Sequence, residues 1–342
     1  MELSGLYTGS SKRTPDQSRV WRLLPRLLPL RTTAALLTLV VSLSACGVAT
    51  HTERLEVGFR GLYSASFDQA TNQMVLGSIH HGGSLWTLHP AARQYDWNHQ
   101  ANEYSQILYS ALSSDGRIAV TADYYNLALW RTDNGQALWF WSAPARIRDI
   151  DLSADGQTVM LGLANGTAVL FDAMEGGVLR ELYHDAPVLS VSMSADARLA
   201  ITGTEGLSAH LWDLNTLERV RAFLLPNQVP LVAMSPDGRR ALIAPARETA
   251  VVWDIEADQL AFELNTSSYR LYSARFDQQQ RLLVGTTHRR IMAFDLTTGE
   301  RLRQWQVGRF LQNAFQSTTV LDMNWHNDRL WAIGSDGFLY GF

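Results

Sequence analysis

Large apolar and small polar residues alternate in several short stretches of the chain. In one of them, Leu189, Val191 and Met193 alternate with Ser190 and Ser192. Successive side chains of a strand point to opposite sides, so this two-residue period predicts a β-strand. Turn sequences of the type SADG or SPDG follow such stretches, and their glycine permits the positive φ that tight turns often need. The pattern therefore predicts short antiparallel strands.

This strand and turn pattern recurs as a repeat of about 41 residues. Each copy contains an alternating strand, a turn, an apolar strand and a third strand that ends in an aromatic residue. The seven aromatic residues at that position are Trp86, Trp130, Phe171, Trp212, Trp253, Phe294 and Tyr340. Their successive spacings are 44, 41, 41, 41, 41 and 46 residues. A second turn, such as DLTTGE at 295–300, leads to a fourth strand, which the last copy lacks.

The SPDG turn and the Trp-Asp pairs Trp212-Asp213 and Trp253-Asp254 resemble the WD-repeat family. The resemblance covers residues 52–342. It implies an all-β fold, a seven-bladed β-propeller whose blades are four-stranded antiparallel sheets. The segment THTERLEVGF at 50–59 precedes the first repeat, and an open ring would expose an unpaired edge. We therefore expect this N-terminal segment to supply the fourth strand of the last blade.

The repeats also depart from the family pattern. None carries the Gly-His dipeptide, and Asn165, Gly206, Arg247 and His288 replace the turn aspartate. We therefore expect that the hydrogen-bonded Asp-His-Ser/Thr-Trp network of standard repeats does not form, so that apolar and aromatic contacts hold the blades.

A weaker resemblance links NGQALWFW at 134–141 and GSDGFLYGF at 334–342 to quinoprotein-type propeller repeats. That group includes quinone-dependent dehydrogenases and a propeller lipoprotein of the outer-membrane protein assembly machinery. Many of the dehydrogenases have eight repeats and an adjacent cysteine pair, whereas this chain has seven repeats and one cysteine. The resemblance therefore favours the assembly-scaffold members over the enzymes.

The N-terminal 45 residues differ in composition from the rest. They include six basic residues and only two acidic ones, and the run 32–45 carries no charge. That run is shorter than the roughly 20 residues that span a bilayer, which favours a signal peptide over a transmembrane helix. Residues 43–46, LSAC, resemble the bacterial lipobox. The sequence predicts a lipoprotein signal peptide at 1–45, with translation from either Met1 or Val20.

Cys46 is the only cysteine of the chain. A catalytic thiol, half of an intermolecular disulfide and a buried packing residue are its other possible roles. The lipobox resemblance implies that Cys46 is acylated, palmitate being the type of chain expected, and that residues 46–51 form a short tether to the propeller at 52–342. Gly47 in place of Asp favours the outer membrane over the inner membrane, with the propeller facing the periplasm.

Composition and motifs exclude several functions. Removing residues 1–45 changes the formal net charge from −4 to −8, so a basic nucleic-acid-binding surface is not expected. The sequence contains no G-x-S-x-G, P-loop or H-E-x-x-H motif. We interpret His80-His81 as part of a turn, and the carboxylates spread over the blades, including Asp149 and Asp151, as turn formers. No catalytic residue, metal or cofactor is predicted.

Tyrosine and arginine are common interface anchors. Several tyrosine and arginine residues of this chain lie in loops that are grouped on one face in WD-repeat propellers. The predicted partner-binding residues are Tyr124, Tyr125, Arg247, Tyr269, Arg289 and Arg290. The His-Arg-Arg run at 288–290 would suit an acidic protein segment. The sequence thus predicts a monomeric, non-enzymatic scaffold for protein partners. The alternative is a small-molecule-binding or enzymatic propeller that uses its central channel.

Overall fold

The computed structural model describes the propeller region of the chain with short gaps. The described residues are 48–59, 61–68, 72–78, 80–100, 103–266, 269–277, 279–308 and 317–342. The signal peptide at 1–45 and the acylated Cys46 lie outside these described residues and stay predictions.

The described chain forms strands β1 to β29, and no helix occurs in it. The first two strands are β1 (Ala49–Thr50) and β2 (Glu53–Glu56). Blade 1 contains β3 (Ser64–Phe67), β4 (Gln73–Ser78), β5 (Gly82–Leu88) and β6 (Ala91–Trp97). Blade 2 contains β7 (Tyr109–Leu112), β8 (Ile118–Ala122), β9 (Asn126–Arg131) and β10 (Ala137–Ser142). Blade 3 contains β11 (Ile147–Leu152), β12 (Thr158–Leu163), β13 (Thr167–Asp172) and β14 (Val178–Tyr183).

The remaining strands continue the same order. Blade 4 contains β15 (Val188–Met193), β16 (Leu199–Thr204), β17 (Ser208–Asp213) and β18 (Glu218–Leu224). Blade 5 contains β19 (Leu231–Met234), β20 (Arg240–Ala244), β21 (Val251–Asp254) and β22 (Gln259–Glu263). Blade 6 contains β23 (Leu271–Phe276), β24 (Arg281–Thr286), β25 (Arg290–Asp295) and β26 (Arg301–Gln306). Blade 7 contains β27 (Val320–His326), β28 (Arg329–Gly334) and β29 (Phe338–Gly341).

The strand order confirms the all-β, seven-bladed propeller of four-stranded antiparallel blades. Within each blade consecutive strands pair, as in blade 3, where Val159 faces Phe171 and Met160 faces Leu170. Buried apolar side chains pack mainly between neighbouring blades. The repeat aromatics Phe171 and Phe294 are 1% and 0% exposed in these layers, which explains why the repeat keeps a large apolar residue there.

The N-terminal segment closes the ring, as the sequence predicts. Strand β2 pairs antiparallel with β29 from Glu53 opposite Gly341 to Glu56 opposite Phe338. The Val57 amide then donates to the Gly337 carbonyl at 2.9 Å. Blade 7 therefore takes its outer strand from the start of the propeller.

Strand β1 is a feature that the sequence does not predict. It pairs parallel with β26, the outer strand of blade 6, with Ala49 opposite Trp305 and Thr50 opposite Gln306. The predicted tether at 46–51 thus contains two residues that are hydrogen-bonded to the propeller. Two residues carry no readable alternation, and their pairing depends on the free edge that blade 6 offers.

Blade 2 contains the polar network whose absence the repeat sequences predict. Trp130 Nε1 donates to Thr121 Oγ1 at 2.8 Å, and His99 Nε2 lies 2.9 Å from the same hydroxyl. His99 Nδ1 lies 3.5 Å from Asp123 Oδ2. The expectation is wrong for this blade because the imidazole comes from the connection before the blade, without a preceding glycine. The Asp123 carboxylate lies seven residues before Trp130, and the other copies have different residues at that position.

Blade 4 forms a shorter version of this network. His184 Nε2 lies 2.8 Å from Thr202 Oγ1, which also accepts a hydrogen bond from Trp212 Nε1 at 3.1 Å. The ring of His210 stacks on His184 at 5.1 Å. Burial, together with the neighbouring His210, lowers the pKa of His184 to about 4. The imidazole is therefore neutral in the folded protein at neutral pH.

The depressed pKa of His184 predicts a loss of stability in acid. In the unfolded chain the imidazole takes up a proton near pH 6.5, so its contribution is fully present above that pH and is lost as the pH falls towards 4. The loss should reach on the order of 2–3 kcal/mol. We expect the His184→Gln variant to show a shallower decline of unfolding free energy between pH 7 and 4.5, measured by urea titration. An unchanged slope would contradict this assignment.

Candidate functional site

The connections between the second and third strands of each blade lie at the same end of the propeller as the connections between blades. We call this end the loop face. Tyr124 and Tyr125 lie between β8 and β9, Arg247 between β20 and β21, and Tyr269 between β22 and β23. Arg289 precedes β25, and Arg290 is its first residue. The strand order therefore brings all six predicted residues to one face.

Arg247 and Tyr269 line one cleft on the loop face between blades 5 and 6. The cleft has a volume of about 730 Å³, within the size range of ligand and peptide sites. The connection at 245–250, which is longer than its counterpart at 205–207 in blade 4, forms part of its wall. Pro230 and Pro245, which also line it, have no N–H to extend the ladder.

The cleft carries charges of both signs. Arg247, Glu248 and Arg270 are exposed around it, and Glu263 lies on its wall. Arg247 has a φ of 61°, a left-handed conformation that is uncommon for a residue with a side chain. Such strained backbone occurs often at functional sites. The guanidinium groups could bind a carboxylate or another anion.

Tyr124 and Tyr125 lie in blade 2, on another part of the loop face. They are 37% and 52% exposed, and the Arg146 guanidinium lies 4.2 Å from the Tyr124 ring. Asp123 holds the turn by accepting hydrogen bonds from the amides of Tyr125 and Asn126, both at 2.7 Å. Burial alone would raise the pKa of Asp123, but these bonds, with His99, outweigh burial and hold the pKa well below its usual range. The turn that presents the tyrosines is therefore held by hydrogen bonds to one carboxylate.

Arg289 and Arg290 are less available than the sequence suggests. Both side chains are only partly exposed. Arg289 Nε donates to the Val307 carbonyl at 3.0 Å. Arg290 Nη1 is buried. The fold therefore uses at least part of this Arg-Arg pair for its own packing. The Arg247 side chain, at the cleft, is more exposed than either of them.

Phe59 and Tyr104 are among the strongly exposed aromatic residues that extend the loop face beyond the predicted set. Phe59 is 60% exposed and Tyr104 is 65% exposed. The ring of His81 lies between them, 6.1 Å from Phe59 and 5.6 Å from Tyr104. Phe59 lies in the connection between the closing strand β2 and β3, the first strand of blade 1. The repeat register places Tyr104 in a connection between blades, and this position is the feature of the sequence that could have identified it.

The inner strands carry a different set of polar groups. Asp149 accepts hydrogen bonds from the Val191 amide and the Ser190 hydroxyl, both at 2.9 Å, and Asp151 accepts one from the Met193 amide at 2.7 Å. Interpreting these two carboxylates as turn formers is therefore wrong, because they lie on β11 and brace blade 3 against blade 4. Alternation places their side chains towards the neighbouring strand, which the repeat alone does not reveal.

Burial changes the pKa values of these two carboxyl groups. Burial raises the pKa of Asp149 to about 7 and that of Asp151 to about 6, although the hydrogen bonds from blade 4 act in the opposite direction. Burial, with Asp149 nearby, raises the pKa of Tyr109 to about 12. Perturbed acids of this kind occur at catalytic centres and also in structural networks.

Comparison with known proteins finds no matching family model and no similar curated sequence. In the described part of the chain, no cluster of three or more His, Cys, Asp or Glu side chains could hold a metal ion. The same described residues form no apolar helix long enough to cross a bilayer.

Proposed function

We propose that this protein is a membrane-anchored periplasmic lipoprotein of the WD-repeat type whose propeller is a non-enzymatic scaffold for protein partners. The anchor is the acylated Cys46, and the outer membrane is its location. The loop face is the docking surface. The observation that carries the scaffold role is the collection of exposed aromatic and arginine side chains on that one face.

The exposed aromatics support docking of a protein. Tyr104, Tyr125 and Phe59 each expose half or more of their surface without being needed in the core. Large aromatic side chains lose little conformational entropy on binding and are enriched among interface hot spots. A propeller without a partner has no structural need for several of them on one face.

The charge distribution supports an acidic partner segment. The chain after residue 45 has a formal net charge of −8, yet Arg247 and Arg270 both stand at the blade 5–6 cleft. Each of the two arginines can pair with a single carboxylate of a partner segment. Glu248 and Glu263 at the same cleft would discriminate against segments with closely spaced carboxylates.

We expect the pair Tyr104→Ala and Tyr125→Ala, and separately the pair Arg247→Glu and Arg270→Glu, to reduce partner recovery at least about tenfold each. The reason is that each pair removes or repels an anchor of the docking surface. Recovery is measured by crosslinking in the native envelope and quantitative mass spectrometry of proteins attached to the scaffold.

A matched control is Arg117→Glu. Arg117 is 84% exposed and lies in the turn between β7 and β8, at the opposite end of the propeller. It should leave recovery unchanged. Equal recovery for all variants, or a loss with Arg117→Glu alone, would count against the loop face.

A channel function is a second candidate, favoured by the raised pKa values of Asp149 and Asp151. A carboxyl with a pKa near neutrality can act as a general acid or base. Stoichiometric metal in the purified protein would favour this function, because the enzymatic propellers that it resembles use metal ligands. The hydrogen bonds that both carboxyls accept from blade 4 already give them a structural role.

A further inference from the structure

The path of the chain into the propeller is set by β1. Because β1 runs parallel to β26, its first residue, Ala49, lies on the side of the first residues of β26, which begins at Arg301. Val48, immediately before the strand, is 40% exposed. The first paired residues of the propeller, Ala49 and Thr50, therefore lie at the outer edge of blade 6.

The distance from the proposed anchor to this edge is short. Two residues, Gly47 and Val48, separate Cys46 from Ala49. Three consecutive Cα steps of 3.8 Å limit the separation of Cys46 and Ala49 to at most about 11 Å. Whatever conformation these residues adopt, an acyl chain on Cys46 starts near the edge of blade 6.

The surface at this edge combines basic and apolar side chains. Arg301, Leu302 and Arg303 are exposed, Leu302 to 52%. We call Val48, Arg301, Leu302 and Arg303 the anchor edge. Glu300 offsets one positive charge. An exposed leucine between two arginines suits a phospholipid surface, where the leucine enters the interface and the guanidinium groups meet phosphates.

We propose that the anchor edge lies on an anionic phospholipid surface, so that the propeller stands on the outer edge of blade 6. This rests on the proposed function, since it requires the acylated Cys46. In this orientation both ends of the ring, including the loop face, point along the membrane and stay open to partners. Basic residues beside an acyl anchor add electrostatic attraction to anionic lipids.

Blade 3 offers a matched comparison. In β14, Leu179 and Arg180 occupy the places that Leu302 and Arg303 occupy in β26, because Arg180 pairs with Leu170 as Arg303 pairs with Ala293. Leu179 is 42% exposed. Blade 3 stands three blades from blade 6 in the ring. The two positions share local structure and differ in their relation to the anchor.

The test uses the full-length acylated protein in vesicles of phosphatidylethanolamine and phosphatidylglycerol. Acylation occupies the sulfur of Cys46, so a cysteine introduced by Leu302→Cys or Leu179→Cys is the one free thiol for a fluorophore. Spin-labelled lipid quenches fluorophores that touch the bilayer. We expect quenching at position 302 to exceed that at position 179 at least threefold.

Charge reversal separates electrostatic contact from simple tethering. Arg301→Glu with Arg303→Glu should lower the quenching at position 302 about threefold or more, since each arginine near an anionic surface contributes about a fivefold change in association. Arg180→Glu should leave it unchanged. Vesicles of phosphatidylcholine alone should show weaker quenching at position 302.

The outcomes distinguish the two proposals. Protein that floats with vesicles but shows equal or no quenching at both positions overturns the orientation and leaves the anchor standing. Protein that does not float, with no acyl mass on Cys46, overturns both. Protection of position 302 only when a partner protein is added assigns this edge to protein and overturns the lipid contact.

Discussion

Replacing Gly337 with alanine is expected to lower the thermal unfolding temperature by about 6 °C. Gly337 has a φ of 85°, and an added Cβ would stand 1.9 Å from the carbonyl oxygen of Gly58. That oxygen belongs to the closing segment, whose Val57 and Gly58 amides donate to the Gly337 carbonyl at 2.9 and 3.0 Å. The substitution therefore forces the closing segment away from blade 7. A loss of about 4 kcal/mol would produce this shift in a domain of this size.

Gly177→Ala is the matched control. Gly177 also has a left-handed φ, 124°, but an added Cβ would meet no atom within 4 Å. It should show only the strain of a residue with a Cβ at this φ, on the order of 1–2 kcal/mol. Both variants are measured by calorimetry or circular dichroism melting. Equal shifts for the two would mean that the contact with Gly58 does not hold the ring closed.

The second large effect is expected for Asp322→Ala. Asp322 lies on the inner strand of blade 7, the blade that the closing strand completes. Asp322 Oδ2 accepts hydrogen bonds from Arg275 Nη2 at 2.6 Å and from the Phe67 amide at 2.8 Å. Arg275 Nη2 also donates to the Phe67 carbonyl at 3.1 Å. The cluster joins blades 6, 7 and 1. Removing the carboxylate leaves a largely buried guanidinium unpaired, which costs about 3–5 kcal/mol in urea unfolding.

Two variants test whether this cost comes from the unpaired charge. The double variant Arg275→Met with Asp322→Leu removes both charges and should recover part of the stability lost in Asp322→Ala. Asp133→Ala breaks the exposed ion pair with Arg131 and should leave unfolding unchanged. A double variant less stable than Asp322→Ala would show that the packing of these side chains, and not their charge, joins the blades.

These two closures act at opposite sides of blade 7. The strand β2 pairs at its outer edge, and Asp322 binds at its inner strand. A ring held at both places keeps the connections of neighbouring blades in a constant relation. That rigidity is what a docking surface assembled from several blades requires, because pre-organised loops lose less entropy on binding.

The repeat could be predicted because its signals are local. Alternation around Val191, the SPDG turn and the aromatic residues near Trp253 each lie within a few residues of one another. The missing fourth strand of the last copy also predicts the closure by residues 50–59. The candidate residues on the loop face follow from the same register, since a position in the repeat determines the end of the blade at which it lies.

The exposure and contacts of those residues could not be predicted. Arg289 and Arg247 occupy similar connections, yet Arg289 donates to Val307 whereas Arg247 stands exposed at a cleft. The difference in exposure between the two arginines depends on where the strands of blade 5 end and on the neighbouring connection. Both are set by tertiary packing. The network at His99 was missed for the same reason, because its four groups come from separate parts of the chain.

The sequence by itself determined the all-β class, the number of blades and their strand order, because period-2 alternation and turn residues act over a few positions. It also supports the prediction of Cys46 as a lipid anchor. The tertiary structure alone decided that β1 joins blade 6, that Asp149 and Asp151 brace blade 4, and that Phe59 joins the loop face. These outcomes depend on contacts between residues that lie about 20 to 260 residues apart in the chain, which local sequence patterns do not encode.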